Sequence, residues 1–163
     1  MFRKMRRFKQ RLTNDECITI LKNSKSGVLA VSGDDGYPYT VPLNFVYADG
    51  KIYFHCAKSG HKLDAVRAND KVSFCVIDKN EVDAENLTTL FKSVVVFGRA
   101  KIMSDTEKIK SAMTVFGLKY NNDVAAVEKE IQREWSGLCC VEITIEHITG
   151  KQAIELVKRK TIL

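Results

Sequence analysis

Asp49-Gly50 is the strongest constraint on what this chain can fold into. It separates two β-rich runs, residues 37–48 and 51–56. Asp-Gly suits a tight hairpin turn because both positions must take positive φ. The second run alternates Tyr53 and His55 with Phe54 and Cys56, so its two faces differ. Pro38 and Pro42 confine the first run to an edge or a bend, since proline cannot donate to a ladder.

Further strands are expected at residues 27–32, 71–78, 91–103 and 141–147. Gly98 reads as a bulge or a point of close approach, and residues 79–90 as a polar exposed loop. Thr13-x-x-Glu16 is a capping box for a helix to Asn23, and Ser104-x-x-Glu107 a second one. Ile109, Ala112, Met113 and Phe116 recur at helical spacing as one buried face. Residues 62–68 and 123–135 predict two more helices, with Trp135 a core residue at the end of the latter. Gly150-Lys151 opens a tail that runs to Lys158-Arg159-Lys160. Helices do not alternate regularly with the strands, which argues against a doubly wound parallel sheet. The pattern predicts an α+β fold, a small antiparallel barrel of about six strands with peripheral helices.

The chain has 163 residues, enough for one domain with a genuine core. No apolar run is long enough to span a membrane. The formal net charge is +6, and six basic side chains with no acidic one lie in residues 1–11. The body is therefore neutral, unlike a domain with a broad nucleic-acid face. A basic arm, residues 1–12, precedes the single domain, 13–163. An arm of this kind can touch RNA or an acidic membrane; the preferred reading lays it across its own fold or a partner subunit. The five cysteines are odd in number and include no C-x-x-C, which suits a reducing cytoplasm.

The strand at residues 53–56 runs into Lys58, Ser59, Gly60, His61 and Lys62 at the start of a helix. That arrangement can hold phosphate: the first turn of a helix has unpaired N–H groups and a positive dipole end. Ser59 adds a hydroxyl, Lys62 a charge, and Gly60 lets the backbone come close. No dinucleotide or Walker fingerprint surrounds it. His55, Cys56 and His61 are close in sequence, but neighbouring strand residues face opposite ways, which argues against zinc.

Four blocks, in this order, resemble the FMN-binding split-barrel proteins related to pyridoxamine 5′-phosphate oxidase, and within them the nitroimidazole-resistance branch. They are Met5-Arg6-Arg7, Gly36-Tyr-Pro-Tyr-Thr-Val-Pro-Leu-Asn44, Tyr53-Phe-His-Cys-Ala-Lys-Ser-Gly-His-Lys62 and Ser93-Val-Val-Val-Phe-Gly-Arg-Ala100. Thr149-Gly150-Lys151 is a fainter echo. The resemblance implies a six-stranded split barrel that binds FMN, with the pocket completed by a second subunit of a homodimer.

It also implies roles for particular residues. Lys62 would be the cationic phosphate ligand, with Ser59 and His61 beside it. Val41, Pro42, Leu43 and Asn44 would run along the flavin, largely through backbone groups. Ser93 and His55 would reach the flavin region, and His55 is the candidate proton donor or substrate ligand. The arginine-histidine pattern with which the oxidases grip pyridoxal phosphate is missing, so vitamin B6 oxidation is not expected.

Two functions follow from the resemblance. One is an oxidoreductase in which FMN takes electrons from NAD(P)H or another reductant and passes them to a small acceptor such as a nitroaromatic. The other is a non-catalytic binder that stores or senses flavin or haem, with His55 or His61 as an axial ligand.

Overall fold

The computed structural model describes residues 1–161, with side chains to residue 158. The Thr13 capping box forms in both directions. The Thr13 backbone N–H donates to Glu16 Oε2 at 2.8 Å, and the Glu16 N–H donates to Thr13 Oγ1 at 3.2 Å. It opens α1 (Asn14–Asn23), which buries Cys17, Ile20 and Leu21.

A hairpin of β1 (Ser26–Ser32) and β2 (Pro38–Asn44) follows. Phe45 interrupts the chain, which resumes as β3 (Val46–Ala48). Asp49 and Gly50 have φ of 50° and 75°, the positive values of a type I′ turn, and Ala48 pairs with Lys51 at the start of β4 (Lys51–Ala57). Next come α2 (His61–Ala68), β5 (Lys71–Asp83), β6 (Thr88–Ile102), α3 (Thr106–Tyr120), α4 (Val124–Glu134), β7 (Leu138–Gln152) and α5 (Ile154–Thr161).

All seven strands form one antiparallel sheet in the order β2-β1-β5-β6-β7-β4-β3. The two end strands, β2 and β3, are separated in sequence by Phe45 alone. The sheet must therefore curl until its ends meet, which makes a barrel. Counted as one bent strand, β2 and β3 give the six strands expected from sequence. The barrel stays split along β2, whose outer edge has no strand partner.

Alternation sorts the side chains. Leu29, Val31, Ile52, Phe54, Phe74, Val76, Val94, Val96, Val141 and Ile143 fill the interior. Leu63, Ala65 and Val66 of α2 join the same core. α3 and α4 cover the outside of β4 and β7, where Ala112 and Met113 meet Cys140, with Tyr53, Phe116 and Leu138 packed around them.

Gly98 lies at a register shift: Phe97 pairs with His147 and Gly98 with Ile145, so Glu146 is the extra residue, on β7. A Cβ on Gly98 would lie 2.3 Å from the Thr144 carbonyl oxygen, so only glycine allows the two strands to approach there.

Three local expectations are corrected. Residues 79–90 are a β-ribbon rather than a loop: the β5–β6 ladder continues past a bulge near Asp78 to Asp83↔Thr88. Apart from Leu90, which is buried at its base, both faces of this ribbon are largely open to water, so its sequence lacks the alternation of a half-buried strand. The cap of α3 is Asp105 instead of Ser104; its carboxylate accepts from the Glu107 and Lys108 N–H groups, both at 3.1 Å. Gly150-Lys151 continues β7, paired with Val94 and Ser93, before α5 begins. Of the basic run at the end, the side chains of Arg159 and Lys160 lie outside the described residues.

The basic arm lies against its own fold. Phe2 stacks on His147 with ring centroids 4.5 Å apart, and Arg11 makes an isolated bridge to Lys151. Trp135 is half-buried at the C-cap of α4.

Candidate functional site

The loop after β4 ends on Gly60, the N-cap residue of α2. No side chain caps the helix there. Gly60 has φ 134° and ψ 161°, a region open essentially to glycine alone. Its carbonyl accepts from the Leu63 and Asp64 N–H groups at 2.9 and 3.2 Å. The His61 and Lys62 N–H groups precede these at the helix start, which carries partial positive charge. Lys62 is half-buried at this end, while Ser59 and His61 are exposed.

His61 ties the loop to β2. Its ring stacks on Tyr39 at 4.2 Å between centroids, and its Nε2 lies 3.6 Å from Asp34 Oδ2. The start of α2 is therefore adjacent to the start of β2.

The backbone of β2 has one free side. The Gly33 N–H donates to the Tyr37 carbonyl at 2.8 Å, which fixes the phase of the β1–β2 ladder. Bonded pairs recur at every second residue, so Tyr39, Val41 and Leu43 direct their N–H and C=O groups to β1. Pro38, Thr40, Pro42 and Asn44 direct theirs to the unpaired edge. Both prolines fall where a missing N–H breaks no ladder bond. A strip of backbone donors and acceptors thus runs from the α2 start along β2. Val41 and Leu43 pack inward against the core, and the Pro42 and Asn44 side chains are exposed.

The strip ends at Phe45, whose peptide groups are held by side chains from the end of α3. The Phe45 N–H donates to Tyr120 Oη at 3.2 Å. Lys119 Nζ donates to the carbonyls of Phe45 and Ser24 at 2.9 and 2.6 Å and sits 4.2 Å from the Phe45 ring centroid. Burial pulls the Lys119 pKa down to about 8. Tyr39, Lys119 and Tyr120 were not singled out from sequence. The signal was there for the latter two, since the spacing Ile109, Ala112, Met113, Phe116 continues to Lys119 and Tyr120 on the same helical face.

His55 points outward from β4 toward α3, edge-on to Phe116 with centroids 4.8 Å apart. It lines a cavity of about 410 Å³ with Met113, Phe116, Ile131 and Leu138, and with Glu130 and Glu134 of α4. Burial lowers its pKa from the ordinary 6.5, and the Glu134 charge opposes that shift. The imidazole is therefore neutral near pH 7. Cys56 points the other way, into the barrel.

Ser93 does not join this group. It sits on β6 between Ile77 and Lys151, and β1 and β5 separate it from β2. It belongs to the outer sheet face, where Pro42, Val28, Cys75, Val95 and Thr149 are successive register partners. The next row on that face is Thr40, Ala30, Ser73, Phe97 and His147. No acidic, lysine or arginine side chain interrupts either row.

A family model for pyridoxamine 5′-phosphate oxidase matches residues 13–152, the span from the Thr13 cap to the end of β7, and the chain belongs to that family. Among solved structures, a FAD-binding protein from Mesorhizobium loti is 28% identical; the match covers 88% of this chain and 97% of that one, with a TM-score of 0.63. A conserved hypothetical protein from Mycobacterium tuberculosis is 19% identical over 91% of this chain and 90% of that one, with a TM-score of 0.79. A candidate 5-nitroimidazole antibiotic resistance protein from Bacteroides thetaiotaomicron is 18% identical over 86% and 85% of the two chains, with a TM-score of 0.71. No curated protein matches the chain.

Proposed function

We propose that this chain is an FMN-binding flavoprotein, an oxidoreductase that delivers electrons from a reductant such as NAD(P)H to a small acceptor of the nitroaromatic type. The observation that carries the reading is the strip itself: an uncapped helix start with Lys62 and His61, continuous through the His61–Tyr39 stack with the free edge of β2. Its parts suit a phosphate joined to a flat, polar-edged ring system. Lys62 and the first-turn N–H groups would hold the phosphate. Thr40 and Asn44 would offer N–H donors, and Thr40, Pro42 and Asn44 carbonyl acceptors, to the ring edge. A bound flavin supplies the redox chemistry; the chain holds it, orients it and limits its contact with water.

The proposal includes a homodimer. Ser93 and Lys151 form the row beside the two uncharged rows that a second copy would cover, and Ser93 would reach a flavin there only across a subunit boundary. Five free cysteines suit a reducing compartment, so the cytoplasm belongs to the proposal. Among the described residues, no helix is long and apolar enough to cross a membrane.

The test is the spectrum and mass of the cofactor that copurifies with the full chain, followed by turnover. Flavin absorbance, the mass of FMN after denaturation and reduction of a nitroaromatic with NADPH are expected. A Soret band, the mass of FAD, or a flavin that no nicotinamide reduces would overturn the corresponding part.

A further inference from the structure

Cys56 and Cys139 are register partners on β4 and β7. Both pack against the barrel core from its inner face, and both are half-buried. Directly opposed residues in an antiparallel pair have Cα atoms about 4.5 or 5.5 Å apart, and disulfides span Cα separations of about 4.4–6.8 Å. Either kind of pair can therefore close with little backbone movement.

The other cysteines cannot compete for this bond. Cys140 follows Cys139 but faces the opposite way, beneath Ala112 and Met113 of α3. Cys17 is buried on α1. Cys75 lies in the outer-face row between Val28 and Val95.

We propose that Cys56 and Cys139 are a redox-modification site, a dithiol that hydrogen peroxide closes reversibly to a cross-strand disulfide. Cys139 reacts first, because burial holds the proton on the Cys56 sulfur and a protonated thiol is the poorer nucleophile. Its sulfur attacks peroxide, the O–O bond breaks, one water leaves and a sulfenic acid remains. The Cys56 sulfur then attacks the Cys139 sulfur, the S–S bond forms, the S–O bond breaks and a second water leaves. The two thiols lose two electrons and the peroxide gains them. A small thiol reverses the reaction by exchange.

Burial pushes the Cys56 thiol up to about 11, which makes it the slower sulfur toward peroxide; in the second step its proton leaves with the sulfenic oxygen as water. The Lys62 charge opposes that rise, which links the pair electrostatically to the loop. The bond would tie the last turn of strand before that loop to β7, so the modification sits at the stem of the candidate phosphate site.

The test maps thiols on the full chain. Reduced protein is treated with stoichiometric hydrogen peroxide, its free thiols are alkylated, and the peptides are analysed by mass. A single Cys56–Cys139 linkage is expected, with loss of two hydrogen masses and full reversal by dithiothreitol. Cys17, Cys75 and Cys140 should remain alkylated. Cys56→Ser should stop at a Cys139 sulfenic acid that dimedone traps, and Cys139→Ser should give no linkage. Phenylarsine oxide provides a check without substitution, since it should bridge the same two sulfurs in the native protein. Linkage of any other pair, a link between two chains, or five alkylated thiols after peroxide would overturn the proposal. The mapping reads cysteines alone, so it stands whatever cofactor the barrel carries.

Discussion

The His61 imidazole lies on the Tyr39 ring, with centroids 4.2 Å apart and planes 19° from parallel. Tyr39 packs its inner side against the barrel core. The stack therefore fixes the start of α2 against a strand that cannot itself move far. Helix start and strand edge act as one surface, on which the first two predictions bear.

Lys62 supplies the only ammonium in the first turn of α2. Lys62→Ala should weaken flavin binding by about 1.5–3 kcal/mol, the usual worth of a hydrogen bond to a charged group, or about one to two orders of magnitude in Kd. The side chain is only half-buried, so the fold should be unaffected. Flavin fluorescence titration gives the affinity and thermal melting gives the stability. Equal affinity in parent and variant would remove Lys62 from the phosphate site.

Gly60→Ala tests the backbone of the same loop. A Cβ there would meet nothing within 4 Å, so crowding contributes nothing. The cost is φ of 134°, which alanine tolerates poorly, on the order of 1–3 kcal/mol. Urea denaturation should show that loss, and flavin affinity should fall with it as the first turn shifts. Parent-like stability would mean that the helix start rearranges freely.

Much of this surface was legible in the sequence, for identifiable reasons. The Asp49-Gly50 turn and the Thr13 box are local signals in which one conformation satisfies the residues involved. Pro38 and Pro42 marked β2 as an edge because proline excludes the alternative. The ribbon past Asp78 was not legible, since strands solvated on both faces carry no alternation. The Asp105 cap was missed by one residue because serine and aspartate both cap well, and local sequence does not choose between them. Tyr39 and the Lys119–Tyr120 clamp depend on contacts across long stretches of chain. Phe45 is 74 residues from Lys119 in sequence, and no local pattern announces that pairing.

Lys119 should give the protein a measurable alkaline signature. Its folded pKa is about 8 against an ordinary value of 10.5. Below pH 8 both states carry the proton, and the full cost of burying the charge is present. Between about 8 and 10.5 the unfolded chain binds more protons than the folded one, so stability rises with pH. The gain from this group is on the order of 2–3 kcal/mol. Urea midpoints of Lys119→Met, compared with those of the parent at pH 7 and pH 10, isolate it from other titrating groups. The variant should lack this rise, and parallel curves would mean that the ammonium is solvated at the Phe45 corner.

Val95 is the centre of the uncharged outer face, between Cys75 and Thr149. Val95→Glu leaves the inner face intact, because strand alternation points this side chain away from the core. If a second copy sits on that face, the variant should be a folded monomer by light scattering, with its flavin largely lost. A variant that remains dimeric with bound flavin would place the subunit contact elsewhere.

The last prediction concerns the chemistry at His55. Its ring rests edge-on against Phe116 at one wall of the α3–α4 cavity. Burial is the larger influence on it and lowers its pKa below 6.5. The folded state therefore sheds this proton more readily than the unfolded chain. The destabilisation is complete below the folded pKa and is relieved as pH rises toward 6.5. At neutral pH the ring accepts hydrogen bonds and offers one N–H, and it becomes a cationic acid only on the acid side. If His55 gives a proton to an acceptor in the cavity, nitroaromatic turnover by the loaded protein should increase as pH falls below 6.5. His55→Gln keeps a polar side chain but cannot titrate. It should bind flavin like the parent, lose that acid limb and become slightly more stable than the parent at low pH. A variant that keeps the acid limb would assign His55 to packing against Phe116 and leave proton delivery to water.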